Sequence, residues 1–205
     1  MIILFIGAQA SGKGTQAKII AGKKGLAHIS TGDLLRGATG ELKKIADSYM
    51  AEGKLAPSKL MVDLLKERIK QPDCKNGIIL DGFPRNLEQA EDLKKIGKIE
   101  KIFEIHISDE TAKKRLMGRW NCKKCGIAYN VITAPKPKKD KLCDNCQVPL
   151  YQRDDDINEE VIEKRLAIYH EETEPILKKY KNKVVIINGK QTIEKITEDI
   201  LKRID

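Results

Sequence analysis

The sequence predicts an α/β fold, a parallel sheet flanked by helices, and three observations carry that expectation. The chain opens on an apolar run, Met1 to Ile6, which reads as a buried strand and leads directly into a glycine-rich loop with a lysine. Short Ile/Val-rich runs then recur to the C-terminus, separated by stretches with helical spacing. One irregular segment, Arg119 to Asp156, interrupts this alternation and holds four of the five cysteines.

Taken in order, the first strand delivers Gly7-Ala8-Gln9-Ala10-Ser11-Gly12-Lys13-Gly14-Thr15. These residue types suit a phosphate cradle: glycines let backbone N–H groups crowd round a polyphosphate, Lys13 adds a point charge, and the helix starting near Gly12 points its positive dipole end inward. A strict Gly-x4-Gly-Lys-Ser/Thr pattern would want a hydroxyl after the lysine, where this chain has Gly14. The spacing predicts a helix over Lys13 to Lys24.

Ile29 to Arg36 places a hydroxyl and, five residues after Thr31, an arginine near the start of a second helix; taken alone, Ser30-Thr31-Gly32-Asp33 is a helix cap. Gly77 to Asp81 reads as a strand ending in a carboxylate, followed by a turn, Gly82-Phe83-Pro84-Arg85, that presents an arginine. In such a sheet the loops after the strands face the ligand crevice, so Asp81 is placed to hold Mg²⁺ through water and Arg85 to fork onto a phosphate. Lys101 to Ile107 and Lys183 to Asn188 complete the expected strands.

The 205 residues, 40% hydrophobic and 34% charged, suit one domain with insertions. No apolar run approaches the roughly 20 residues that span a bilayer, and the start has no basic n-region or cleavage site, so the expectation is a soluble cytoplasmic enzyme. Of the net charge of +9, +6 lies between Arg119 and Arg153, where eight basic residues face Asp140 and Asp144. That segment suits an anion, whether ATP or a nucleic-acid backbone.

Cys122-x2-Cys125 and Cys143-x2-Cys146 have the spacing of a four-thiolate zinc ribbon, with Gly126 in the turn after the first pair. An insert this small has too little core to hold itself together, so the metal would do so. Four thiolates leave no open position, which makes the zinc structural. Cys74 is read as an ordinary small side chain, and His28, His106 and His170 as isolated structural or surface residues.

The order of the Gly12-Lys13-Gly14-Thr15-Gln16 loop ending, Ser30-Thr31-Gly32-Asp33, Asp81-Gly82-Phe83-Pro84-Arg85, Gly118-Arg119 and Arg153-Asp154-Asp155-Asp156 resembles that of the adenylate kinases across essentially the whole chain. The cysteine insert further resembles the zinc-bearing lid of many bacterial members. The resemblance implies a P-loop NTPase-type sheet made of residues 1–29, 57–117 and 157–205, a helical nucleoside-monophosphate insert at 30–56, and a lid at 118–156.

It also implies roles. The loop from Gly7 through Ala10, Ser11, Gly12, Lys13 and Gly14 to Thr15 matches the ATP phosphate site, with Arg115 beside adenine, Arg119, Ala128 and Tyr129 as lid contacts, and Gln191 in the late adenine loop. Thr31, Arg36, Gly82, Phe83, Pro84, Arg85 and Gln89 match the AMP site, and Lys54, Leu55 and Ala56 the backbone that lines it. Arg153 and Arg165 match the pair that closes on the transferred group. Lys13, Arg85, Arg119, Arg153 and Arg165 are thus the implied catalytic cations, Asp81 the Mg²⁺-associated carboxylate, and Cys122, Cys125, Cys143 and Cys146 the Zn²⁺ ligands.

On this likeness the reaction is Mg-dependent transfer from ATP to AMP giving two ADP, by a monomer with no nucleic-acid or membrane partner. Thr31 and Gln89 stand where UMP/CMP kinases usually carry alanine and asparagine, which favours AMP as acceptor. The alternatives are a UMP/CMP kinase, a GTP:AMP phosphotransferase, or a zinc-ribbon nucleic-acid binder. The chain departs from the family pattern at Gln9-Ala10, where most members have Pro-Gly; at Trp120, where another basic residue is common; and in an extra residue between Arg153 and Arg165 that blurs the register of Asp154 to Asp156. At Ala10 the departure adds a Cβ where a glycine's positive φ is at issue.

Overall fold

The computed structural model describes residues 1–204. The strands β1 (Ile2–Ile6), β2 (Ala27–Ser30), β3 (Ile78–Asp81), β4 (Ile99–His106) and β8 (Val184–Asn188) form one five-stranded sheet in the order β2-β3-β1-β4-β8, parallel throughout. All five residues of β1 are buried. Ile2, Leu4 and Ile6 feed one hydrophobic cluster while Ile3 and Phe5 feed the other, so the run is apolar throughout because helices cover both faces.

On the Phe5 face lie α1 (Lys13–Lys24) and α9 (Ile193–Leu201), which bury Ala17, Ile20, Ile196 and Ile200. The Leu4 face is covered by the helices α2 (Thr31–Arg36), α3 (Gly40–Ala51), α4 (Ser58–Ile69), α5 (Leu87–Ile96), α6 (Asp109–Met117), α7 (Glu159–Ile168) and α8 (Glu174–Lys179). A five-residue π-helical turn, Tyr169–Thr173, joins α7 to α8. The predicted helix over Lys13 to Lys24 is observed with those bounds.

The irregular segment carries a sheet of its own. Here β5 (Arg119–Cys122), β6 (Ala128–Asn130) and β7 (Leu150–Tyr151) make a small antiparallel sheet in the order β6-β5-β7. Its own cluster is Cys122, Tyr129, Cys143 and Leu150, with Trp120 and Ile127 against it.

The expected strand at 183–188 is observed as β8, and one element differs from the sequence reading. Strand β2 was not singled out: its four residues, Ala-His-Ile-Ser, alternate buried and half-buried positions and make no apolar run. Strand β8 sits at the sheet edge, so Ile187 is buried while Ile186 is 67% exposed. Because the strands are parallel, the loops after β1, β2, β3, β4 and β8 converge at one end of the sheet.

Candidate active site

The loop after β1 is shaped by close approaches. Gly7 has φ +154°, and a Cβ there would lie 2.5 Å from the Ile105 carbonyl oxygen, so the strand end admits only glycine. At Gly14 a Cβ would lie 2.7 Å from Asp81 Oδ2. Gly14 thus lets the Asp81 carboxylate lie directly against the loop. Ala10 takes φ +58°, the left-handed conformation that glycine adopts without penalty. Lys13 Nζ donates to the Ala8 carbonyl at 3.1 Å, and Ser11 is fully buried with no partner for Oγ.

Lys13 and a set of arginines crowd the space above this loop. Burial pushes the Lys13 pKa down to about 8; Asp81 opposes the shift, and the positive charges of Arg85, Arg119 and Arg165 add to it. Arg85 is held below the usual arginine range by burial and by Arg165. Arg153 is brought down to about 10 by burial, Arg119 and Arg36. These groups destabilise one another's charge, as a site built around polyanions must in their absence.

Two aspartates hold part of this charge. Arg119 makes a bidentate bridge to Asp156 at 2.7 and 2.6 Å, and Arg165 Nη1 donates to Asp156 Oδ1 at 3.0 Å and to the Asp155 carbonyl at 2.6 Å. Residues Asp154–Asp156 form a 3₁₀ turn, and within it Asp156 is the carboxylate, 1% exposed, that takes both arginines. Burial raises its pKa, and the two arginines more than offset that, leaving it below the usual range. Arg153 Nε is buried without a partner.

On the β3 side the hydroxyl of Thr31 donates to the Gly82 carbonyl at 2.9 Å, so toward a ligand it can only accept. Gln89, 2% exposed, accepts the Arg85 N–H on Oε1 at 2.8 Å, which leaves its amide nitrogen as the free donor. Arg85 Nε donates to the Gly82 carbonyl at 2.9 Å, and the Phe83-Pro84 peptide is cis. Arg36, Leu55, Ala56 and Phe83 line the same cleft; so does Lys54, although its ammonium pairs with Glu52. Pro84 lines a small recess beside Lys13 and Arg85.

At the other end Arg115 donates to the Gly189 carbonyl at 2.9 Å and reaches the Ala10 and Ser11 carbonyls at 3.4 Å. Ala128 lines the cleft, which extends over about 1540 Å³ from β6 to α3. Two residues expected there, Gln191 and Tyr129, border the cleft while their polar ends have other partners. Gln191 borders the cleft, but its amide donates to the Asn188 carbonyl and to Asp199. The Tyr129 hydroxyl lies 3.7 Å from Cys143 Sγ and accepts from the Asp144 N–H at 2.9 Å, so its side chain belongs to the cysteine cluster.

The four cysteine sulfurs lie within 4.8 Å of one another, with Cys125 and Cys143 at 3.6 Å. Tetrahedral zinc with bonds of about 2.3 Å needs sulfurs about 3.8 Å apart, so the donor set fits the ion. Burial opposes ionisation of Cys143, yet the Cys146 N–H and the Tyr129 hydroxyl bring its pKa down, while burial and the neighbouring sulfurs push Cys146 up. For magnesium the matching observation is Asp81 Oδ1, a buried carboxylate oxygen beside Lys13 and Gly14 with no partner.

His28 is not isolated: it lines the cleft on β2 with Nε2 3.9 Å from Asp81 Oδ2. His106 pairs with Glu104, and His170 bridges Asp109 and Glu174. At Trp120 the indole carries Lys141 Nζ 5.2 Å from its ring centre, a stacked contact. Sequence reasoning passed over Thr173, whose hydroxyl donates to the Arg85 carbonyl at 2.7 Å from the π-helical turn, and Asn121, which accepts from Arg153 at 3.3 Å. Neither belongs to a motif.

Comparison with known proteins bears on the same residues. The family model described as adenylate kinase matches residues 5–185. An adenylate kinase of Caldicellulosiruptor saccharolyticus is 43% identical, covering 98% of this chain and 98% of that protein. Those of Archaeoglobus fulgidus and Clostridioides difficile are 42% and 44% identical over 98% of this chain, covering 96% and 97% of their own lengths.

Proposed function

The chain belongs to the adenylate kinase family, and from that premise we propose how its cleft carries out reversible phosphoryl transfer from ATP to AMP. The observation that supports the reading most is the ring of Lys13, Arg36, Arg85, Arg119, Arg153 and Arg165 between the loop after β1 and the loop after β3. Phosphoryl transfer asks little of a protein beyond aligning two nucleotides and offsetting charge spread over the transferred group. The phosphate of AMP is itself the nucleophile.

In this reading the loop from Gly7 to Thr15 and Lys13 cradle the ATP phosphates, with Arg119 over them and Arg115 and the backbone near Gly189 to Gln191 beside the base. Arg36 and Arg85 take the AMP phosphate, while Leu55 and Ala56 line its base. Thr31 offers an acceptor and Gln89 a donor, a pair that suits the edge of adenine. Arg153 and Arg165 bind the group in transit, and as phosphate oxygens arrive they draw Arg119 and Arg165 away from Asp156. Residues 30–56 and 118–156 close over acceptor and donor and keep out water, the competing acceptor.

Asp81 would hold Mg²⁺, which supplies charge neutralisation on the ATP phosphates. Cys122, Cys125, Cys143 and Cys146 would hold Zn²⁺, which supplies the cross-link that a small lid lacks. Among the described residues no helix is long and apolar enough to cross a membrane. We read the enzyme as a cytoplasmic monomer acting on ATP, AMP and ADP, with no nucleic-acid partner. The comparisons favour neither a UMP/CMP kinase, a GTP-using enzyme nor a zinc-ribbon nucleic-acid binder.

The test offers AMP, UMP and CMP separately with Mg-ATP and measures nucleoside diphosphate. Selective turnover of AMP is expected. Turnover restricted to a pyrimidine would overturn the roles given to Thr31 and Gln89.

A further inference from the structure

The resemblance leaves Gln9 without a role, because most family members carry proline there. Its side chain leaves the phosphate loop, and Nε2 donates to the main-chain carbonyl of Arg165 at 3.0 Å, across 156 residues of sequence. A carbonyl can only accept, so the amide's orientation is fixed by chemistry. Its Oε1 is buried and has no partner, which makes the bond to Arg165 the only polar anchor of the side chain.

That carbonyl lies near the end of α7 and also receives the Tyr169 N–H, where the helix widens into the π-helical turn. Arg165 itself reaches forward to Asp155 and Asp156. The phosphate loop and the helix that carries the arginine therefore share one direct side-chain link. Next to it Ala10 holds φ +58°. For a residue with a Cβ that conformation costs about 1–2 kcal/mol.

We propose that Gln9 is a positioning residue for phosphoryl transfer, tying the loop that holds the donor phosphates to the backbone of Arg165 so that Lys13 and the Arg165 guanidinium keep a fixed separation. The assignment rests on the reading of the cleft given above. Loss of the tether leaves each nucleotide its own contacts and slackens the alignment between them. It also removes a buried oxygen that has no partner, so stability and alignment respond differently to substitution.

The test is a double-mutant cycle on the full-length enzyme, with single-turnover phosphoryl transfer read beside steady-state KM and thermal midpoint. Gln9→Ala and Gln9→Met, the second keeping side-chain length without a donor, should each transfer about five-fold more slowly, the scale of one neutral hydrogen bond. KM for ATP and AMP should stay within about two-fold and the midpoint within about 2 °C. In an Arg165→Ala background, itself slow, Gln9→Ala should add nothing.

A wild-type transfer rate in both Gln9 variants would overturn the proposal. So would the same five-fold loss with Arg165 already removed, since Gln9 would then act through the loop alone. Arg165→Ala running at the wild-type rate would instead overturn the role of Arg165 in the cleft, and that result needs no change at Gln9.

Discussion

Replacing Lys13 by methionine should abolish turnover by orders of magnitude and yet make the nucleotide-free protein more stable at neutral pH. The lysine is held at about pH 8 against an ordinary 10.5, so the unfolded chain binds its proton more tightly than the folded one. Between those values the unfolded state carries more protons, and stability rises with pH across that window. At about 1.4 kcal/mol per pKa unit the buried cation costs about 3 kcal/mol below pH 8.

Part of the side chain faces the open cleft, which lowers that cost to about 2 kcal/mol. Methionine also leaves the Ala8 carbonyl without its donor, a loss of about 1 kcal/mol. The net expectation is a gain of about 1 kcal/mol at pH 7 that shrinks from pH 8 upward and reverses to a loss of about the same size above pH 10.5. Urea denaturation without nucleotide, at a series of pH values from 7 to about 10.5, reads it directly. With ATP at about 100 times its Kd the order reverses, since binding adds about 2.7 kcal/mol to the wild type alone. A variant less stable than wild type by the same amount at every pH would refute the reasoning.

Ala10→Gly should relieve the left-handed backbone and raise the thermal midpoint by about 2–4 °C, the equivalent of about 1 kcal/mol in a chain of this size; a lower midpoint would show that Ala10 is not strained. Thr173→Val should raise KM for AMP about five-fold by freeing the Arg85 carbonyl, with KM for ATP unchanged and Thr173→Ser restoring the wild-type value. Tyr129→Phe removes the hydroxyl at Cys143 and should weaken zinc retention about ten-fold in competition with a coloured chelator, whereas wild-type retention would make that contact incidental. Chelation of zinc from the wild type should lower the melting of the lid before that of the sheet core, and a preparation without about one metal per chain would count against the ribbon.

The elements legible in sequence are those whose chemistry is local. Strand β1 shows as an unbroken apolar run because both its faces are covered, and the loop after it shows through its glycines, Gly7 with a backbone approach that excludes a Cβ and Gly12 with a positive φ. The cysteine cluster is readable because each pair grips from one knuckle, so spacing alone encodes it. Strand β2 is hard to read, since its alternation runs over only four residues, two of them His28 and Ser30, and its conformation is secured by pairing with β3. The outward face of Ile186 depends on β8 lying at an edge, which no local pattern states. Gln9 and Thr173 stayed hidden for a further reason: each acts on the backbone of a residue 156 or 88 positions away, and a backbone carbonyl has no residue type to recognise. Tyr129 borders the cleft, but its hydroxyl lies against Cys143, a contact that no local pattern in β6 states.

The central claim is that one ring of cations aligns two nucleotides while residues 30–56 and 118–156 close over them and keep out water. The most direct measurement is the stoichiometry of products from Mg-ATP and AMP, followed by ³¹P NMR with inorganic phosphate resolved. The account predicts two ADP for each AMP consumed and no free phosphate above background. Phosphate released in step with ATP loss, or consumption of ATP that does not depend on AMP, would contradict it.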